Sequence, residues 1–114
     1  STRAALSFAG EGSKLTKRSK RALKGLASFL KGEPRVKQIL VMVHTHSRGD
    51  PRADKQLGYR RGKAIKSELT KHGVKASRVA IYSYGSEKNR ASNMNRRGRA
   101  RNQRVLLRIK SLKL

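Results

Sequence analysis

The spacing of apolar residues changes along this chain, and each change marks an element. "AALSF" at 4–8 alternates too briefly for more than a short strand, and "AGEGS" after it is flexible in composition. From Leu15 the apolar residues Ala22, Leu23, Leu26, Ala27, Phe29 and Leu30 recur at three and four, the period of a helix with one buried face. Thr16 is placed to cap its start and Gly32 its end, with Pro34 just beyond. "VKQILVMV" carries apolar residues at consecutive positions, as expected of a central strand covered on both faces. A second helical pattern runs from about Arg52 to His72, closed by Gly73. "SRVAIYSYG" and "RVLLRIKSL" read as two further strands. The polar connection "SEKNRASNMNRRGRARNQ" between them has room for one helical turn. The order β-α-β-α-β-loop-β predicts a single domain over 1–114, an α/β sandwich of the α+β kind with two helices on a mixed four-stranded sheet.

The central strand runs into "HTHSRGDP". His44 and His46 alternate along an extended chain and so share a side, and a cation held between them with Asp50 or Asp54 is one reading. Such sites need three or four ligands, and no metal is expected here. The "RGD" at 48–50 belongs to a Gly-Asp-Pro turn and carries no adhesion argument.

On the second helix, Leu57, Ala64, Ile65 and Leu69 define the apolar side, and Arg61 falls inside that arc. Two readings stand open. Its stem is buried and its head reaches water, or it is held at the mouth of a pocket to take a carboxylate or phosphate. Gly58 and Gly62 flank it, although glycine costs up to about 1 kcal/mol inside a helix; they would let something approach closely.

Charge sharpens the picture. The 114 residues hold 30 Lys+Arg and 6 Asp+Glu, a net charge of +24. A surface this small cannot neutralise that excess, so the domain should attract polyanions. Lys17 and Arg18 stand in the first helical turn, where the helix dipole favours acids, so basic charge is not placed for helix stability. Residues 89–104 contain six arginines (Arg90, Arg96, Arg97, Arg99, Arg101 and Arg104) and no acid, a composition suited to phosphate contacts. Aromatics are scarce in that stretch, so RNA bound there would be held mainly by its backbone. There is no cysteine for a disulfide or thiolate site. No apolar run approaches the roughly 18 residues that span a bilayer. Neither a nucleophile–base pair nor a pair of opposed carboxylates is visible, and no catalysis or cofactor is expected. The chain opens on Ser1 rather than Met and is expected to be a piece of a longer protein.

The stretches "LTKRSKRALKGLASFLKGEPRVKQILVMVHTHSRGD", "LGYRRGKAI", "SRVAIYSYGSEKNRASN" and "GRARNQRVLLRI" together resemble the OmpA-like domain family, a peptidoglycan-associating module of outer-membrane and flagellar-motor proteins. The resemblance covers about residues 6 to 110. It implies a non-catalytic fold with helices on one sheet, located in the periplasm or cell envelope. In that family a His-Thr-Asp-x-x-Gly motif ends the strand, and its aspartate takes the ammonium of diaminopimelate in the wall's stem peptide. An arginine of the next helix takes that residue's carboxylate. Position by position, the motif falls on His44, Thr45, His46 and Gly49, and the arginine on Arg61. Here His46 stands where the aspartate is usual, and Asp54 and Gly58 replace the usual Asn and Ser.

The resemblance thus implies a ligand site formed by Thr45, His46, Asp54, Leu57 and Arg61, with Asp54 in position to restore the lost carboxylate. The implied partner is peptidoglycan or another anionic polymer. The alternative is a repurposed basic domain that binds RNA inside the cell, for instance on ribosomes.

Overall fold

The chain traced by the computed structural model is described for residues 2–4, 6–87, 89 and 93–113, leaving aside the side chains of residues 2, 3, 100 and 101. Four strands and three helices follow in the order β1 (Thr2–Ala4), α1 (Lys17–Lys31), β2 (Val36–His44), α2 (Pro51–Lys71), β3 (Val79–Gly85), α3 (Arg96–Asn102) and β4 (Arg104–Leu112), with a short 3-10 turn at Ala76–Arg78. The strands form one sheet in the order β1-β4-β2-β3. β2 is central, parallel to β3 and antiparallel to β4.

The helix boundaries follow from local chemistry. Thr16 caps α1 by accepting from the Ser19 amide, and Gly32 closes it. The Asp50 carboxylate accepts from the amides of Arg52 and Ala53, and Pro51 occupies the first turn of α2. α1 buries Leu23, Ala27 and Leu30; α2 buries Leu57, Ile65 and Leu69. These meet Ile39, Val41 and Val43 of β2, Val79 of β3 and Val105 of β4 in one core. β2 is buried on its other side too, through Met42 and His44, as its continuous apolar run predicts.

One expectation is corrected. The first strand is Thr2–Ala4, paired with Val105–Leu107, and not 4–8. Phe8 has left the sheet to make an isolated bridge with Leu15, while the Ser7 amide donates to Ser19 Oγ at 2.7 Å. The start of α1 thus draws this segment away from the sheet. The basic connection holds a seven-residue helix, α3, capped by Asn95, whose side chain accepts from the Gly98 amide at 2.7 Å.

The close approach at Gly58 and Gly62 is to β3 and not to a ligand. A Cβ on Gly62 would lie 2.3 Å from Ile81 Cγ2, and one on Gly58 2.2 Å from Ser83 Oγ. Ser83 Oγ in turn donates to the Lys55 carbonyl at 2.7 Å. The two missing side chains let α2 sit directly on β3, which fixes where Asp54, Leu57 and Arg61 lie relative to the end of β2.

Candidate functional site

β2 ends at His44, where its register with β3 shifts. The His44 ring stacks on Tyr84, centroids 4.7 Å apart and planes within 8°. Thr45 is fully buried: its amide donates to the Gly85 carbonyl at 2.8 Å and its own carbonyl accepts from Asn89 Nδ2 at 2.9 Å. His46 follows, also buried, its Nε2 3.8 Å from a Glu11 carboxylate oxygen and its Nδ1 without a hydrogen-bond partner. The two histidines therefore face different neighbours. Among the described residues, no group of three or more His, Asp or Glu is set to hold a metal ion.

Arg61 is 3% exposed, so the reading that put its head in water is corrected. Nε donates to the Gly12 carbonyl at 2.8 Å and Nη1 to Gln103 Oε1 at 3.1 Å. The guanidinium carbon lies 4.8 Å from the Phe8 ring centroid, within cation–π range. Nη2 is buried and has no hydrogen-bond partner. Arg61 lines a cavity of about 310 Å³ together with Phe8, His44, Gln103, Arg104 and Val105. Burial, reinforced by the nearby Arg48 charge and partly offset by Glu11, lowers its pKa to about 10. At neutral pH the group is still a cation.

Glu11 supplies the carboxylate of this corner. It accepts from Arg48 Nε at 2.8 Å and from Arg48 Nη2, and that hydrogen bond holds its pKa below the ordinary value. His46 is pushed below the usual histidine pKa, first by burial and then by the Arg48 charge, against an opposing pull from Glu11. A neutral imidazole at pH 7 is the consequence.

Asp54 is 1% exposed in the first turn of α2. One of its oxygens accepts from the Arg48 amide at 3.3 Å and from Ser86 Oγ at 3.0 Å. The other makes no hydrogen bond and lies 3.9 Å from Arg48 Nη1. It is thus drawn into holding the 47–50 turn. Leu57 is buried one turn further along.

The arginines of 89–104 do not share one role. Arg96 and Arg97 are exposed on α3. Arg99 Nη1 donates to the Asn93 carbonyl at 3.2 Å, and Arg104 Nη1 to the Asn102 carbonyl at 3.3 Å. Arg90, and the side chain of Arg101, lie outside the described residues.

Sequence reasoning missed Glu11, Arg48, Gln103 and an asparagine brace. Asn93 Oδ1 accepts from the Ser47 amide and from Asn102 Nδ2, each at 3.0 Å, and Asn93 Nδ2 donates to Asn89 at 3.0 Å. This brace ties the loop after β3 to the turn after β2. A signal for Glu11 was present: with six acids in a +24 chain, each should sit against cations, and Glu11 is the sole acid before Glu33.

Chemically, the corner is a buried cation with a spare donor, beside a neutral imidazole and a carboxylate that already serves Arg48. It can accept an anionic group at Arg61.

Known proteins match this chain over nearly the whole domain. Residues 7–103 match the model of the OmpA family. The chain is 36% identical over 81 residues to the peptidoglycan-associated lipoprotein of Pasteurella multocida, covering 71% of this chain and 53% of that protein. It is 33% identical over 100 residues to that of Pseudomonas aeruginosa, covering 88% and 58%. The chain thus spans little more than half the length of these curated relatives. Among solved structures, the peptidoglycan-associated lipoprotein from Burkholderia pseudomallei superposes with a TM-score of 0.78 at 25% identity, over 94% of this chain and 88% of that one. The C-terminal domain of Helicobacter pylori MotB superposes with a TM-score of 0.79 at 20% identity, over 92% and 83%. With its strands, helices and strand-end motif in the family's order, the chain belongs to the OmpA family.

Proposed function

We propose that this domain is a non-catalytic binding module of the cell envelope, acting on its periplasmic side, that holds peptidoglycan by a carboxylate of the stem peptide. The observation that carries the reading is Arg61: buried, charged, and with one guanidinium nitrogen left without a partner. A buried unpaired donor on a charged group is costly, and a ligand carboxylate would relieve that cost. The names of the relatives support the same ligand class.

The family's ammonium partner is altered. His46 is neutral and can accept one hydrogen bond from an ammonium where an aspartate would add a full charge. Thr45 and Leu57 are buried nearby in the chain but do not line the Arg61 cavity; Asp54 positions Arg48, and Glu11 competes with the ligand for the local cations. Binding should therefore depend on the carboxylate end of diaminopimelate more than on its amine end.

The test is sedimentation with purified sacculi at about 150 mM salt, for the native domain and for Arg61→Met. The proposal expects native protein in the pellet and the variant in the supernatant. Equal pelleting would overturn it, and loss of both above that salt concentration would reduce the interaction to net charge.

A second reading, RNA binding, draws on the exposed Arg96 and Arg97, which stand unfavourably in the first turn of α3 where the dipole disfavours cations. Engagement of Arg99 and Arg104 with backbone carbonyls leaves fewer cations for phosphate contacts than the sequence advertises. The envelope reading is preferred.

A further inference from the structure

A second concave surface lies away from the Arg61 corner, along the free edge of the sheet. β3 is the terminal strand in the order β1-β4-β2-β3, so among the described residues one of its two backbone edges has no strand beside it. Edge strands in natural proteins are usually guarded by a Lys, a Pro or an inward charge. β3 reads VAIYSYG and carries none, in a chain where 30 of 114 residues are Lys or Arg.

Beside that edge runs a groove of about 620 Å³ between β3 and α2. Its strand wall includes Ile81 and Tyr82; its helix wall includes Arg52, Lys55, Tyr59 and Arg60. Arg52, Lys55 and Tyr59 recur at three and four, and Gln56 and Arg60 lie beside them at the same period, so they form one stripe facing the strand's edge. Tyr59 is 50% and Tyr82 47% exposed, two large anchors at an open surface. Lys55 Nζ lies 6.0 Å from the Tyr82 ring centroid, and Lys63 Nζ lies 5.6 Å from that of Tyr59. Among the described residues no acid lines the groove; Lys55 pairs with Glu87 outside its lining at 3.2 Å.

An unguarded strand edge beside a helix is the geometry in which an extended peptide adds as an extra strand, its main chain pairing with the edge and its side chains entering the groove. The charge of the helix wall selects the partner. We infer that the α2–β3 groove is a docking site for an acidic peptide segment of another protein, bound in extended form alongside β3 and anchored on Tyr59 and Tyr82. A single-stranded nucleic acid would also meet cations and aromatic faces there, but it makes no use of the backbone edge, and the edge is the feature that lacks its usual protection. The inference is independent of the ligand reading at Arg61.

The experiment uses the domain labelled with 15N and three probes. The first is a capped nine-residue peptide alternating Val and Glu. The second has the same charge with proline at alternate positions, so it cannot pair with a strand. The third is an oligouridylate. The expected result is that the first peptide shifts the amides of Tyr59, Ile81 and Tyr82 and slows hydrogen exchange along β3. The proline peptide should bind at least about tenfold more weakly, as expected when main-chain pairing supplies the affinity. Arg60→Glu should weaken the Val–Glu peptide by a similar factor, about tenfold; Arg60 is exposed, so the variant should fold. Equal binding of the two peptides would overturn the proposal by showing attraction of charge alone. Tighter binding of the oligouridylate at the same amides would overturn it in favour of nucleic acid. Shifts confined to α3, or none in β3, would overturn it as well.

Discussion

Replacing Arg61 with methionine separates what the guanidinium does for the fold from what it does for a ligand. Burial, reinforced by the Arg48 charge, lowers its pKa to about 10, which corresponds to about 3 kcal/mol working against the charged form at that position. Two hydrogen bonds oppose this, to the Gly12 carbonyl at 2.8 Å and to Gln103 at 3.1 Å. Bonds from a charged donor contribute about 1.5–3 kcal/mol each. The two sides are of similar size, and methionine fills much of the same volume with an unbranched, adaptable chain. Stability should therefore change by less than about 2 kcal/mol, a Tm shift below about 10 °C.

Ligand binding should respond very differently. Losing one charge-assisted contact to a carboxylate is expected to weaken a diaminopimelate-containing peptide by about 10- to 150-fold. Thermal unfolding followed by circular dichroism, together with calorimetric titration of the peptide, reads both quantities on the same sample. A variant that unfolds at ambient temperature would show Arg61 to be a structural strut. A stable variant with native affinity would refute its role in binding.

Four other outcomes follow from the same geometry. His46→Asp restores a carboxylate beside Arg48 and Arg61, and calorimetry should show about tenfold tighter binding of the diaminopimelate peptide; unchanged affinity would mean that position 46 does not face the ligand's amine. Because burial holds the folded His46 pKa below its unfolded value, unfolded chains take up its proton first as pH falls. Stability is then fully present above about pH 6.5 and declines below it, and urea titrations across that range should lose this slope in His46→Gln. Glu11→Gln removes the internal carboxylate that occupies Arg48 and should raise affinity for carboxylate ligands a few-fold in the same titration. Gly62→Ala forces a Cβ into Ile81 Cγ2 and should cost about 1–3 kcal/mol in chemical denaturation; in the Ile81→Ala background, where that methyl is gone, most of the added cost should vanish.

Elements whose information is local were legible in the chain. The three- and four-residue apolar period located α1 and α2, and the caps at Thr16 and Gly32 are short-range hydrogen-bonding chemistry. The unbroken apolar run of 39–43 marked β2 as central because both of its faces are covered. Position within a motif was enough to single out His46 and Arg61. What surrounds them was not legible, because it depends on contacts far apart in the chain. Glu11 reaches Arg48 across 37 residues, and Gly12 reaches Arg61 across 49. Asn93 pairs with Ser47 across 46, in a loop whose composition reads only as basic and polar. For the same reason, the arginines of 89–104 read as one patch, although Arg99 and Arg104 turn to backbone carbonyls and Arg96 and Arg97 do not. The glycines of α2 signalled a close approach correctly, but which partner approaches is decided by the packing of β3.

The central claim is that a buried, still-charged Arg61 holds an anionic group of the cell wall. The most direct measurement is a titration of the 15N-labelled domain with a diaminopimelate-containing stem tripeptide, observing backbone amides and the Arg61 Nε resonance. Saturable shifts at Arg61 Nε, Gly12, His46 and Gln103, retained at about 150 mM salt, are the predicted result. An unmoved Arg61 resonance, with shifts confined to the exposed Arg96 and Arg97 of α3, would contradict it.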